Sequence, residues 1–191
     1  MKEMIIVSSN EGKIKEAQEI LEDFKVISMK EIGIDIDVEE DQDTFKGNAI
    51  KKAETIARNL GGKVCIADDS GIEIEYLDGF PGVFTKRWHN GTDRERNLAI
   101  IEKMTGVPRG NRRIKFITAI AVSDGKKTIC EEGVINGYVA EETRGENGFG
   151  FDEIFELDNG RTLAEISDEE KNKISARKIA LEKIRNELEK L

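Results

Sequence analysis

Val64-Cys65-Ile66-Ala67-Asp68-Asp69-Ser70-Gly71 is the stretch on which the reading of the fold turns. Its apolar half predicts a buried strand. The two carboxylates and Ser-Gly that follow predict a tight acidic turn at that strand's end. Such a turn is ordinary chemistry, yet the rim of an open α/β sheet is also where ligands bind. The rest of the chain has to decide between the two.

Upstream, residues 4–7 read as a strand, and Ser8-Ser9-Asn10 turns into a helix over 11–21 with apolar positions at helical spacing. Residues 25–29 form a second strand. Ile32, Ile34, Ile36 and Val38 alternate with polar residues, which predicts a half-buried strand. Residues 44–60 are helical, and Gly61-Gly62 ends that helix. Downstream, 72–77 should pair beside 64–67, and Gly79-Phe80-Pro81-Gly82 makes a rigid loop. Thr92 and Glu95 open a helix to Thr105 through a capping box. Residues 113–123 and 127–136 predict a hairpin around Asp124-Gly125, and 137–141 extend the sheet. Residues 144–151 form a glycine-rich loop and 153–156 a short strand. A second capping box at Ser167 and Glu170 opens one long helix to Leu191, with Ile174, Leu181, Ile184, Leu188 and Leu191 as its core stripe. Strands and helices alternate early and strands dominate the middle, so the class is mixed α/β.

The chain has 191 residues, enough for one domain with two lobes and a sizeable core. A net charge of −9 argues against non-specific attraction to nucleic acid, so any phosphate must be handled locally by a few lysines and a cation. Cys65 and Cys130 lack metal-ligand spacing and His89 is the one histidine, which argues against zinc. No signal-like leader and no apolar run near the ~20 residues of a membrane span are present. The expectation is a cytoplasmic protein with no membrane partner.

Several constellations carry possible chemistry. Ser8, Ser9, Asn10, Glu11, Gly12 and Lys13 join a strand to a helix start, where backbone N–H groups favour an anion and Lys13 adds a point charge. The segment is not a P-loop, because the leading glycine is missing and Ile14 replaces Ser/Thr. The acidic run Glu39-Glu40-Asp41-Gln42-Asp43 complements a helix dipole. Folded over Asp69, it would supply the hard oxygens that Mg²⁺ takes. Asn48 and Lys52 share a helix face. Asp35-Ile36-Asp37-Val38 resembles a phosphatase motif, but strand alternation explains it better. Gly148-Phe149-Gly150-Phe151-Asp152 offers rings and a carboxylate to a nucleobase, and Lys171, Ser175 and Arg177 cluster in the last helix.

In this order and spacing, six segments resemble the inosine/xanthosine triphosphate pyrophosphatases. They are Ser9-Asn10-x-x-Lys13, Glu40 through Lys52-Ala53, Ala67-Asp68-Asp69-Ser70-Gly71, Gly79-Phe80-Pro81-Gly82, Gly148-Phe149-Gly150-Phe151-Asp152, and Glu170-Lys171-x-x-Ile174-Ser175-x-Arg177. The resemblance spans nearly the whole chain. It implies an elongated mixed β-sheet with flanking helices forming two lobes around a central cleft, a homodimer, and Mg²⁺-dependent hydrolysis of ITP, dITP and XTP to monophosphate and pyrophosphate. By the same resemblance Asp69 is the general base and a metal ligand, and Glu40 (or Glu39) is the second metal carboxylate. Residues 8–13, Lys52 and Ser70 cradle the triphosphate. Phe149, Gly150, Phe151, Asp152, Lys171, Ser175 and Arg177 contact the purine. The chain departs from the family pattern at Ala176, where a histidine is usual, and at Gln42, Thr85, Lys86, Phe151 and Glu153. The departure at Ala176 leaves open the same chemistry with a broadened or shifted base preference; a nucleotide-binding module without turnover, a reading from another class, is the further alternative.

Overall fold

The computed structural model describes residues 2–188. In chain order the elements are β1 (Lys2–Val7), α1 (Glu11–Ile20), β2 (Phe24–Ser28), α2 (Phe45–Asn59), β3 (Cys65–Ile74), α3 (Asp93–Lys103), β4 (Arg113–Ser123), β5 (Thr128–Val139), β6 (Phe155–Glu156), α4 (Asp168–Ile174) and α5 (Ala176–Leu188). The strands form one mixed sheet in the order β2-β1-β3-β4-β5-β6. β1 is parallel to β2 and β3, and β6 is antiparallel to β5. The mixed α/β class expected from the sequence is therefore found.

By contact density the chain divides into two compact units, interleaved in sequence. The first holds residues 1–70, 118–133 and 175–191, and the second holds 71–117 and 134–174. The boundary falls inside β3, β4 and β5. The first unit's core packs Met4, Ile6, Val26, Ile66, Ile120 and Val122 of the strands against Ala17 and Leu21 and against Ala180, Leu181, Ile184 and Leu188 of α5. The second unit's core gathers Ile72, Ile74, Ile100, Met104, Ile114, Phe151, Ile154, Phe155 and Leu163.

Three expectations are corrected. Residues 65–74 form one continuous strand, so Asp68-Asp69-Ser70-Gly71 is not a turn at a strand's end but the middle of β3. Residues 32–38 form no strand: turns follow Met29, Ile36 is exposed, and alternation without a neighbouring ladder leaves the backbone irregular. The last helix is broken at Ser175 into α4 and α5, and Ile174, placed in the core stripe, is exposed. Leu191 lies outside the described residues.

Candidate active site

The continuity of β3 through Asp68 and Asp69 is what arranges these side chains. Side chains of a strand alternate between its faces, so the consecutive carboxylates of Asp68 and Asp69 point opposite ways and meet different helices.

Asp68 shares its face with Ile66 and Ser70 and turns towards α1 and α5. Its Oδ2 is 2.9 Å from Lys13 Nζ, accepts from Arg177 Nη2 at 2.7 Å and accepts from Ser70 Oγ at 3.0 Å. Burial would raise this carboxyl, but the charges of Lys13, Arg177 and Lys52 hold it far below the usual carboxylate range. Arg177 spans two acids, because its other guanidinium nitrogen donates to Glu16. Burial opposes the Arg177 charge, and Asp68 and Glu16 outweigh it and raise the pKa. Lys13 goes the other way: burial lowers it, against the pull of Asp68. All four groups are nearly closed to solvent.

Asp69 faces α2. Asn48, on the first turns of that helix, donates Nδ2 to Asp69 Oδ2 at 3.0 Å, and the Ser70 N–H donates to Asp69 Oδ1 at 3.1 Å. The other end of the Asn48 amide accepts the Gln42 N–H at 3.0 Å. One side chain therefore ties the acidic loop to the second aspartate. Lys52, one turn further on, donates to Glu40 Oε1 at 2.6 Å and to the Asp68 carbonyl at 2.7 Å. Burial pushes the Asp69 carboxyl up, Lys52 pulls it down, and Glu40 raises it again. Burial also opposes the Lys52 charge, but Asp68, Asp69 and Glu40 together raise its pKa. Glu40, not the exposed Glu39, is thus the acid beside Asp69. Among the described residues no group of three His, Cys, Asp or Glu side chains is placed to hold a metal. Two hard carboxylates suit an ion that completes its shell with water and substrate oxygens.

The start of α1 places backbone donors beside Lys13. Asn10 caps the helix by accepting the Lys13 N–H at 3.1 Å and is itself oriented by Ser8 Oγ. First-turn N–H groups of a helix have no intrahelical acceptor, so those of Glu11 and Gly12 remain for an anion.

The second unit holds a different cluster. Asp152 Oδ2 accepts from Lys171 Nζ at 2.7 Å and from the Phe149 N–H at 2.9 Å, while Lys171 Nζ lies 4.3 Å from the Phe149 ring centre. A Cβ on Gly148 would stand 2.0 Å from that same carboxylate oxygen, and Gly148 has φ +73°. Only glycine closes this loop.

Of the residues expected at the purine, Phe149, Gly150, Asp152 and Lys171 come together here. Phe151 is packed in the second unit's core, which leaves Phe149 as the half-buried ring. Ser175 and Arg177 belong to the first unit. Ser175 Oγ accepts the Lys178 N–H at 3.1 Å and so caps α5, and Arg177 is committed to Asp68 and Glu16. Sequence reading missed Glu16, whose one signal is its i, i+3 spacing from Lys13, and gave Asn48 no role beyond its shared face with Lys52. Thr85 ties β3 to the loop that follows it: its hydroxyl accepts the Ile72 N–H and donates to the Gly82 carbonyl.

Burial pushes the thiols of Cys65 and Cys130 up to about 11, which favours the protonated form at neutral pH. A cavity of about 760 Å³ on the second unit, bordered by Glu73, Arg113, Lys115 and Tyr138, is lined by none of the residues in the two clusters just described. Among the described residues no helix is long and apolar enough to cross a membrane.

Residues 4–187 match the model of the Ham1 family. The dITP/XTP pyrophosphatase of Bacillus subtilis is 45% identical over 195 residues, covering 99% of this chain and 98% of that protein. Among solved structures, a HAM1 protein from Coxiella burnetii superposes with a TM-score of 0.87 at 38% identity, covering all of both chains. The nucleoside-triphosphatase / dITP/XTP pyrophosphatase of Mycobacterium abscessus gives 0.74 at 30% identity, covering 93% of this chain and 96% of that one.

Proposed function

The chain belongs to the Ham1 family, and on that footing we propose that it hydrolyses the non-standard purine nucleoside triphosphates ITP, dITP and XTP to monophosphate and pyrophosphate. The observation that carries the reading is the division of labour on β3. Asp68 is consumed by Lys13 and Arg177 as a structural anchor, while Asp69 is held by one amide and one N–H. A carboxylate whose burial raises its proton affinity is suited to accept a proton from water.

In this scheme the triphosphate meets the start of α1, Lys13, Lys52 and Ser70. Asn48 fixes the rotamer of Asp69, which orients a water and takes its proton as the new P–O bond forms. Pyrophosphate leaves with the electron pair of the broken anhydride bond. Glu40 and Asp69 fit Mg²⁺, which when bound would neutralise charge on the phosphate oxygens. Phe149, Asp152 and Lys171 are assigned to the purine. We further read the protein as a cytoplasmic homodimer with neither nucleic acid nor membrane as partner, supported by the family resemblance and the net charge of −9.

A second reading, broadened base choice, is favoured by Ala176, a buried methyl that offers no hydrogen bond where the family has histidine. A panel of ITP, dITP, XTP, GTP and ATP, assayed for pyrophosphate with Mg²⁺ and with EDTA, tests both. The first reading predicts kcat/KM highest on the 6-oxo, non-guanine substrates and no turnover in EDTA. Equal values on GTP and ITP would favour the second. Release of single phosphate would sink both.

A further inference from the structure

The glycine-rich loop is held from outside by a helix that neither the proposed chemistry nor the purine assignment uses. α3 begins with a reciprocal capping box: Glu95 N–H donates to Thr92 Oγ1 at 3.2 Å, and Thr92 N–H donates to Glu95 Oε2 at 2.6 Å. This rigid start presents Asp93 and Asn97 one turn apart on one face. Both grip the same residue of the loop. The Gly150 N–H donates to Asp93 Oδ2 at 2.9 Å, and Asn97 Nδ2 donates to the Gly150 carbonyl at 2.9 Å.

The details argue that the grip is specific. Arg96 donates to the other Asp93 oxygen at 2.6 Å, which fixes the carboxylate towards Gly150. Asn97 is fully buried, donates a second bond to Glu153 Oε2 at 3.3 Å, and buries its Oδ1 with no partner among the described residues. Leaving that oxygen dry has a cost, one that a merely space-filling apolar side chain would avoid. Gly150 has φ +63°, and a Cβ there would meet nothing within 4 Å, so the loop needs glycine for its backbone, and the backbone is what α3 reads. Gly150 lies between Phe149 and Asp152, two of the groups assigned to the base.

We propose that Asp93 and Asn97 are positioning residues for base recognition, a clasp on Gly150 that sets where Phe149 and Asp152 stand. This rests on the purine assignment above. It predicts a change in base affinity with no change in the chemistry on the triphosphate.

Asp93 is exposed, so Asp93→Ala tests the clasp without emptying the core, and Asp93→Asn, which keeps an acceptor, is the rescue. In the full-length protein, Asp93→Ala should speed hydrogen exchange over residues 148–152 by about tenfold, the loss of one charge-assisted bond. It should raise KM for dITP several-fold and leave both kcat and the inhibition constant of inorganic tripolyphosphate unchanged. Asp93→Asn should sit near wild type on every readout. Phe149→Ala separates the two levels of the argument. If it raises KM for dITP while Asp93→Ala does not, the clasp is wrong and the purine assignment stands. If Phe149→Ala leaves KM unchanged, the purine assignment falls and takes the clasp's role with it. Unchanged exchange over 148–152 in Asp93→Ala would also overturn the proposal.

Discussion

A single residue, Arg177, carries more of the first unit than its expected place at the purine suggested. It bridges Glu16 Oε2 and Asp68 in a nearly dry environment, while Glu16 Oε1 is buried with no hydrogen-bond partner among the described residues. Removing one member of such a buried set strands the others as uncompensated charges. Arg177→Ala should therefore destabilise the protein by about 3–5 kcal/mol, read as a shift in the urea midpoint. Arg177→Lys should recover little, because a point charge cannot span two carboxylates as the guanidinium fork does. A midpoint unchanged in both variants would contradict this account. At this scale the sequence was partly legible. Asp69, Glu40, Lys13 and Lys52 were all singled out, and the structure brings them together. Glu16 and the anchoring role of Asp68 were not found, because their partners lie far apart in the chain and buried charge is visible only once the fold supplies the opposite one.

At the scale of elements, the errors share a cause. Residues 32–38 alternate as a strand should, but alternation describes a face and not a partner, and no ladder forms. β3 runs through Asp68 and Asp69, polar residues that usually end a strand, because helices on both faces satisfy them. The last helix breaks at Ser175 because that hydroxyl caps α5, a competition between side chain and backbone that periodicity does not register. The start of α5 is also pinned from β5: a Cβ on Gly133 would lie 1.9 Å from the Ala176 carbonyl oxygen and 2.8 Å from the Ala180 nitrogen. These are backbone atoms with nowhere to go, so Gly133→Ala must displace the helix that carries Arg177. The expected result is a loss of about 1–3 kcal/mol, seen as a lower melting temperature, together with reduced turnover. An unperturbed melting curve would show that α5 yields more easily than its packing implies. Capping boxes and the Asp124-Gly125 hairpin, by contrast, were read correctly, since each is decided by neighbours within a few residues.

At the scale of the whole molecule, composition and period-2 or helical patterning gave the mixed α/β class, but not the strand order β2-β1-β3-β4-β5-β6 nor the interleaving of two units. Those depend on pairings between distant segments, for which the chain carries no local signal. The ordered motifs carried the family resemblance instead, and the family match over residues 4–187 bears that out. The central claim is narrower than the family: that of two adjacent aspartates one is an anchor and the other the base. It is tested most directly by measuring pyrophosphate released per dITP consumed, with Mg²⁺, by wild type and by Asp69→Asn at equal concentration. The account predicts one pyrophosphate per dITP for wild type and, for the variant, turnover lowered by at least about a hundredfold, the scale of a lost general base, with dITP still bound. Full turnover by Asp69→Asn, or inorganic phosphate in place of pyrophosphate, would contradict it.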